Sequence, residues 1–255
     1  MISLRPLFFP KPWGGEFIAR HFKRPAANFG EAFILSTLQG QENSVDSKSL
    51  SEFLGRELPY LVKIIDAARP LSIQVHPNDI WAHELENSKG KSECWLVLSA
   101  VPEAGVYLGL KPGVSEENLR DALKNNRDVE KLLEFHKVKT GDFIAVPAGA
   151  IHAIGAGITI LEIQQSSGIT YRFWDWGQSD RELQIEKAFK VMGQNLRPGI
   201  LTNIHDDQTP RLLYRHPDFE VFLQIPQASG WTIDLKTLEV HHGVNDEVSS
   251  FISIK

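Results

Sequence analysis

Gly141-Asp-Phe-Ile-Ala-Val-Pro147-Ala-Gly149-Ala-Ile-His152 is the stretch on which the reading of the fold turns. The apolar run before Pro147 reads as a strand that ends there, because proline supplies no N–H to a ladder. Gly149 permits a tight turn with backbone angles that other residues avoid. His152 then opens the returning strand. In a small barrel this hairpin corner aims a histidine inward. The plainer alternative is a turn followed by a packed histidine.

Working outward, aromatic and β-branched residues recur in short runs bounded by Gly, Pro, Asn and Asp, the mark of many short strands. Strands are expected at Phe33–Leu38, Leu71–Val75, Cys94–Leu98, Gly105–Leu110, Asp142–Val146, Thr159–Gln164, Thr170–Trp174, Phe219–Ile225 and Trp231–Leu235. Ser115–Phe135 differs. Ser115 and Asn118 with the Glu116–Glu117 pair read as a helix start. Leu119, Ala122 and Leu123 form an apolar stripe, Asn125–Asn126 breaks it, and Val129, Leu132 and Leu133 resume it, so two short helices are expected. Further helices are expected at Ser49–Leu54 and Pro77–Glu86. Strands with occasional helices argue for a mainly β barrel or sandwich carrying helical insertions. After Met192 the stretch from Gln194 to Pro210 is polar and turn-rich and reads as a linker. Three or four strands are expected in Arg211–Lys255.

The chain has 255 residues, 42% hydrophobic and 23% charged, enough for a sizeable core. With roughly 150 residues per domain, its length falls between one domain and two. Lys plus Arg is 27 against 32 Asp plus Glu, a net charge of −5. That balance does not suggest binding to nucleic acid or an anionic membrane through bulk charge. The single cysteine, Cys94, allows no internal disulfide and points to a reducing, cytoplasmic setting. The broken apolar start with Pro10 and Pro12 does not read as a leader. No apolar run reaches the ~20 residues of a membrane helix.

Three elements supply the chemistry. The first is His152. The second is Leu71-Ser-Ile-Gln74-Val-His76-Pro77, where Gln74 and His76 share one face of a strand and Ile73 and Val75 the other. The third is Gly90-Lys91-Ser-Glu93-Cys-Trp95, where Lys91, Glu93 and Trp95 share a face. An inward charged pair costs free energy unless a metal or ligand matches it. The bland reading is a solvent-facing edge with a weak Lys–Glu pair. Together Gln74, His76, Glu93 and His152 make a nitrogen and oxygen donor set that suits Zn²⁺ and also Fe, Mn, Co or Ni. Cys94 should face away from Glu93. Two histidines and a carboxylate also describe a non-haem iron oxygenase site. The other histidines read as surface or packing residues, with His83, in the segment directly after the Gln74–His76 strand, as the candidate exception. Ala153-Ile-Gly155-Ala-Gly157 lacks the third glycine and the helix of a dinucleotide site.

The strings LPYLVKIIDAARPLSIQVHPND, GKSECW, GDFIAVPAGAIHAIGAG, LEIQQSSGITYRFWDW and GEAFILS resemble type I phosphomannose isomerases, in particular the short bacterial form, from about Leu4 to Met192. The spacing around His152 is similar to a motif of the cupin superfamily. The resemblance implies a cupin-type β-barrel (jelly roll), one catalytic zinc, and interconversion of mannose 6-phosphate and fructose 6-phosphate. It implies zinc ligands at Gln74, His76, Glu93 and His152, and active-site cations at Lys91 and Arg172. It implies a small-molecule sugar phosphate as partner, with no nucleic acid or membrane, and a monomer or homodimer. Two departures stand out. Where relatives carry an acid four residues before the arginine, this chain has Gly168, and the relatives continue into a longer C-terminal barrel. The alternative reading that Gly168 leaves is a cupin relative that binds metal and sugar phosphate without isomerising it. The expected organisation is a metal-binding domain at 1–195, with its helical insert at about 113–137, followed by a linker and an abbreviated β region at 196–255. Glu162 is expected either to carry a proton or to orient a metal histidine.

Overall fold

The computed structural model describes residues 4–126, 129–177, 181–193, 196, 199–202, 204, 209–225, 230–243 and 250–255. Its frame is three layers of antiparallel sheet. The central sheet runs Gly199–Leu201, Phe143–Val146, Glu93–Ala100, Ile158–Gln165, Tyr60–Ala67, Leu7–Gly15 and Phe29–Leu35, with Tyr60–Ala67 also paired to Phe29–Leu35. A second sheet runs Leu133–Lys137, Gly105–Leu110, His152–Ile154, Ile73–Val75 and Tyr171–Trp174. These two sheets face each other as a cupin-type barrel. Trp95, Val97, Ile65, Ile158 and Ile160 from the first pack with Val106, Leu108 and Ile154 from the second.

The other face of the central sheet is also apolar, and this is where the third layer docks. Val62, Ile64, Cys94, Leu96, Leu161 and Ile163 pack against Val221, Leu223, Trp231, Ile233, Ile252 and Ile254. The last group belongs to a C-terminal sheet ordered Arg211–His216, Phe219–Leu223, Phe251–Ile254, Trp231–Asp234 and Val240–His242. Its five strands exceed the three or four expected. Cys94 lies in this outer core, on the opposite side of its strand from Glu93, as alternation requires. On the far side of the barrel, Asp79–Glu86 and Ile185–Val191 cover the second sheet through Ala188, Phe189, Val191 and the partly buried Trp81 and Leu85.

Two expectations need correction. The insert forms a helix only at Glu116–Lys124, capped by Ser115 and Asn118. Its second half is a single 3₁₀ turn, Val129–Leu132, followed by the strand Leu133–Lys137. Pairing with Gly105–Leu110 outweighs the helical spacing there, and both Val129 and Leu133 are buried either way. The stretch read as a linker also contributes structure. Gly199–Leu201 pairs with Phe143–Ala145 and extends the central sheet, and Ile204 is buried. Residues 194, 195, 197, 198, 203 and 205–208 of that stretch, His205 among them, lie outside the described residues. Among the described residues, no helix is long and apolar enough to cross a membrane.

The Gly155 of the rejected dinucleotide motif has a packing role. Its N–H donates to the Gly105 carbonyl at 3.0 Å, and a Cβ there would stand 2.2 Å from that oxygen. Backbone cannot step aside as a side chain can. Gly155→Ala is therefore expected to lower the unfolding free energy by about 3 kcal/mol, read from urea denaturation. An unchanged midpoint would show that the two strands are free to part.

Candidate metal centre

The hairpin corner forms as its sequence suggests. Gly149 has a φ of 86°, the left-handed region that glycine tolerates, and its N–H donates to the His76 carbonyl at 2.8 Å. The turn thus ties the two histidine-bearing segments together. His152 pairs in register with Gln74, and Gln74 pairs with Arg172. Cross-strand partners share a face, so His152, Gln74 and Arg172 form a row across three strands of one barrel wall. Glu93 and Trp95 come from the opposite wall, and the Trp95 ring lies edge-on to His152 at 5.5 Å.

The three ligand-type groups of His76, Glu93 and His152 lie within 4.8 Å of one another. His152 Nε2 is 3.3 Å from Glu93 Oε1, and His76 Nε2 is 3.4 Å from Glu93 Oε2. Gln74 Nε2 stands 3.3 Å from His152 Nε2, so the amide borders the cluster, and rotation of the amide would bring its oxygen to that position. Each imidazole is oriented from behind. His76 Nδ1 contacts the Ile169 carbonyl and His152 Nδ1 the Ala150 carbonyl, both at 2.9 Å. A carbonyl only accepts, so each Nδ1 carries the proton and each Nε2 turns its lone pair toward Glu93.

The electrostatics suit a cation. Burial lowers the pKa of His76 well below its usual value, with Lys91 and His152 adding to the effect. Burial likewise lowers His152 to about 4. Both rings are neutral at pH 7, as metal ligation requires. Glu93 is 1% exposed, and neither of its oxygens accepts a well-aligned hydrogen bond. Lys91 Nζ stands 3.0 Å from Glu93 Oε2 and 3.0 Å from His76 Nε2. The ion pair exists, but its geometry leaves the carboxylate's lone pairs available. Such orphaned acceptors in a dry interior are costly, and a divalent ion would satisfy them together with the two imidazoles.

Around this cluster runs a row of charges that sequence reading only partly found. Glu162 and Lys63 lie opposite each other on paired strands, with Glu162 Oε1 3.1 Å from Lys63 Nζ. Lys63 Nζ is 2.9 Å from Glu31 Oε1, and Lys11 Nζ is 2.9 Å from Glu31 Oε2. Burial raises the Glu162 pKa, and Glu93 raises it further against the pull of Lys63. Glu31 and Lys63 went unrecognised as inward charges, although GEAFILS and LPYLVKIID contain them. A single charge within an otherwise apolar strand was the available signal.

The remaining candidates resolve as follows. Arg172 Nε is buried without a hydrogen-bond partner. Burial lowers its pKa and the nearby Arg181 contributes, against Asp175 and Glu31. Asp175 is held by Arg181, whose Nε donates to it at 2.6 Å. Tyr171 and Phe173 are buried against the helices, which makes them core. His83 is exposed on its helix and lies outside the cluster. Gly168 is exposed, and a Cβ there would meet nothing within 4 Å.

Residues 9–93 match the family described as "Phosphomannose isomerase type I, catalytic domain". The mannose-6-phosphate isomerase ManA of Bacillus subtilis is 34% identical over 235 residues, covering 83% of this chain and 74% of that protein. The mannose-6-phosphate isomerase of Streptococcus mutans is 45% identical over 217 residues, covering 75% of this chain and 67% of the other. The crystal structure of mannose 6-phosphate isomerase from Bacillus subtilis superposes with a TM-score of 0.81 at 25% identity, over 100% of this chain and 99% of that one.

Glu31 offers a test of the charge row. Burial pushes its pKa up, but Lys63 and Lys11 outweigh burial and hold it down at about 2. A folded value below the unfolded one stabilises the fold above the unfolded pKa, and the benefit is lost as pH falls through the folded value. Glu31→Gln is therefore expected to cost on the order of 3 kcal/mol at pH 7. The gap to the natural chain should narrow as pH falls below ~4 and close near the folded value of about 2. Chemical denaturation across that range reads both, and a gap independent of pH would contradict the pairing.

Proposed function

Because the chain belongs to the type I phosphomannose isomerases, we propose that it interconverts mannose 6-phosphate and fructose 6-phosphate through an enediol, with one zinc ion held by Gln74, His76, Glu93 and His152. The observation that carries this reading is the buried Glu93 carboxylate, unsatisfied and faced by two neutral imidazoles oriented from behind. Nitrogen and oxygen donors of this kind suit zinc. When bound, zinc supplies Lewis-acid polarisation of a sugar oxygen.

The chain's own residues supply the rest. Isomerisation moves a proton between C1 and C2 while negative charge develops on the adjoining oxygens. Lys91 is 5% exposed, and its ammonium sits within the cluster. It is the group suited to stabilise that charge, because a fixed cation in a dry site is worth far more than one in water. Lys91 and Glu162 are the residues beside the cluster able to carry a proton. The raised pKa of Glu162 suits a carboxylate that must accept and return one. Arg172 follows Gln74 in the wall row, and its unpartnered Nε is available to a phosphate, whose oxygens match the guanidinium fork. Trp95 is fully buried edge-on to His152 and closes that side of the cluster to water.

This combination favours an isomerase over an iron oxygenase, because Gln74 and two cations suit an anionic sugar. It also favours turnover over binding alone, because the charged machinery is in place without an acid at position 168. We further propose that 1–195 is the catalytic unit and that 196–255 is an abbreviated companion to it. A phosphorylated metabolite as substrate and a single buried thiol fit a cytoplasmic setting, with the chain acting as a monomer or homodimer.

The test is a coupled assay of the zinc-loaded protein with metal analysis of its variants. His76→Ala should reduce turnover by more than ~100-fold. Glu93→Gln should lose zinc on dialysis, whereas Lys91→Met should keep zinc and lose kcat. Equal metal content in the Glu93 and Lys91 variants would overturn the ligand assignment. Absence of turnover in the zinc-loaded natural chain would overturn the activity.

A further inference from the structure

The segment Lys91-Ser92-Glu93 carries a cation and a carboxylate of the centre on adjacent odd positions, and Ser92 between them points the other way. Every polar group of Ser92 is engaged. Its N–H donates to Gln165 Oε1 at 2.8 Å, and its carbonyl accepts from the Gln165 N–H at 3.0 Å. Its hydroxyl oxygen accepts from the Ala148 N–H at 3.2 Å.

Gln165 is itself 1% exposed. Its amide nitrogen donates to Asp218 Oδ2 at 2.7 Å and to Asp79 Oδ1 at 3.1 Å. The same Asp79 oxygen accepts the Gly90 N–H at 2.8 Å. The amide can face only one way here, since carboxylates only accept and the Ser92 N–H only donates. Tyr214 and Asp218 lie in and just after the strand Arg211–His216, so both belong to the C-terminal sheet. They reach across the junction where Tyr60 and Tyr214 pack on Phe219.

We propose that the C-terminal sheet positions the metal centre, with Asp218 acting through Gln165 to hold Ser92 and thereby fix Lys91 and Glu93. Asp218 and Gln165 are positioning residues; neither belongs to the cluster. Asp79 completes the clamp from the helix that follows His76. The helix behind one metal strand and the sheet behind another are thus joined through one amide. This gives the C-terminal region a task that goes beyond covering apolar surface. The inference rests on the proposed metal centre.

The experiment uses the full chain loaded with zinc. It compares Asp218→Ala, Asp218→Asn and Gln165→Met for zinc release to a chromogenic chelator and for kcat and KM with mannose 6-phosphate. Asp218→Ala is expected to release zinc about tenfold faster and to lower kcat about tenfold, with KM within about twofold. Asp218→Asn keeps an oxygen that accepts from Gln165 and should return both readings to within about threefold of the natural chain. Gln165→Met keeps the length of the side chain, removes its hydrogen bonds and should shift zinc release in the same direction as Asp218→Ala. It carries the test if Asp218→Ala does not fold. Natural release rates in both Asp218→Ala and Gln165→Met would overturn the proposal, as would an Asp218→Asn variant as defective as the alanine. Zinc release is read without substrate. A chain inactive on mannose 6-phosphate would therefore defeat the functional reading while the release rates still decide the brace.

Discussion

Burying the Glu93 carboxylate between the walls of a β-barrel is the act to which the rest of the structure answers. A lone ionised group there would be prohibitively costly, and in practice such a group takes a proton or a partner. Here the surroundings supply partners from every side. Lys91 stands at 3.0 Å, and two imidazoles stand at 3.3 and 3.4 Å. The imidazoles bring lone pairs and no protons, because burial keeps both neutral and backbone carbonyls fix their tautomers. Two neutral imidazoles and a carboxylate form a donor set that suits a divalent cation. Further along the same wall, Lys63 lies between Glu31 and Glu162, so an acid and a base alternate across the interior rather than accumulating one sign.

Much of this was legible in the sequence, and the failures have physical causes. Gly105–Leu110 is found with its observed bounds, because its alternation and flanking turns are local signals. The inward aim of Gln74, His76, Lys91, Glu93 and His152 follows from strand periodicity alone. Tyr60–Ala67 went unrecognised because it lies within the central sheet with all eight residues buried. A strand covered on both faces shows no alternation, and Lys63 and Asp66 disguise it further. Leu7–Gly15 was hidden by Pro10 and Pro12, and its register with Phe29–Leu35 shifts at Pro10. The partners of Arg172 depend on contacts far along the chain. No spacing rule could reveal that Arg181 takes Asp175.

The layered build also accounts for how a small site is held still. The central sheet has an apolar face on each side, one closing the barrel and one receiving the C-terminal sheet. Alternation therefore gives each residue of Lys91–Trp95 a distinct address. Lys91, Glu93 and Trp95 look inward to the chemistry, while Ser92 and Cys94 look outward to the third layer. Rigid support of ligand-bearing strands matters because small displacements of catalytic groups cost large factors in rate. Gly168 sits on the exposed loop beside Ile169, whose carbonyl orients His76, with open space around it. The chain keeps that orienting contact without an acidic side chain at the position.

The central claim is that the cluster of Gln74, His76, Glu93 and His152 holds one zinc ion. Anomalous diffraction at the zinc edge from crystals of the zinc-loaded protein tests it most directly. The account predicts a single strong peak per chain, with His76 Nε2, His152 Nε2, a Glu93 oxygen and the Gln74 amide oxygen at about 2.0–2.2 Å. A peak away from these side chains, or a cluster without a peak in zinc-saturated crystals, would contradict it.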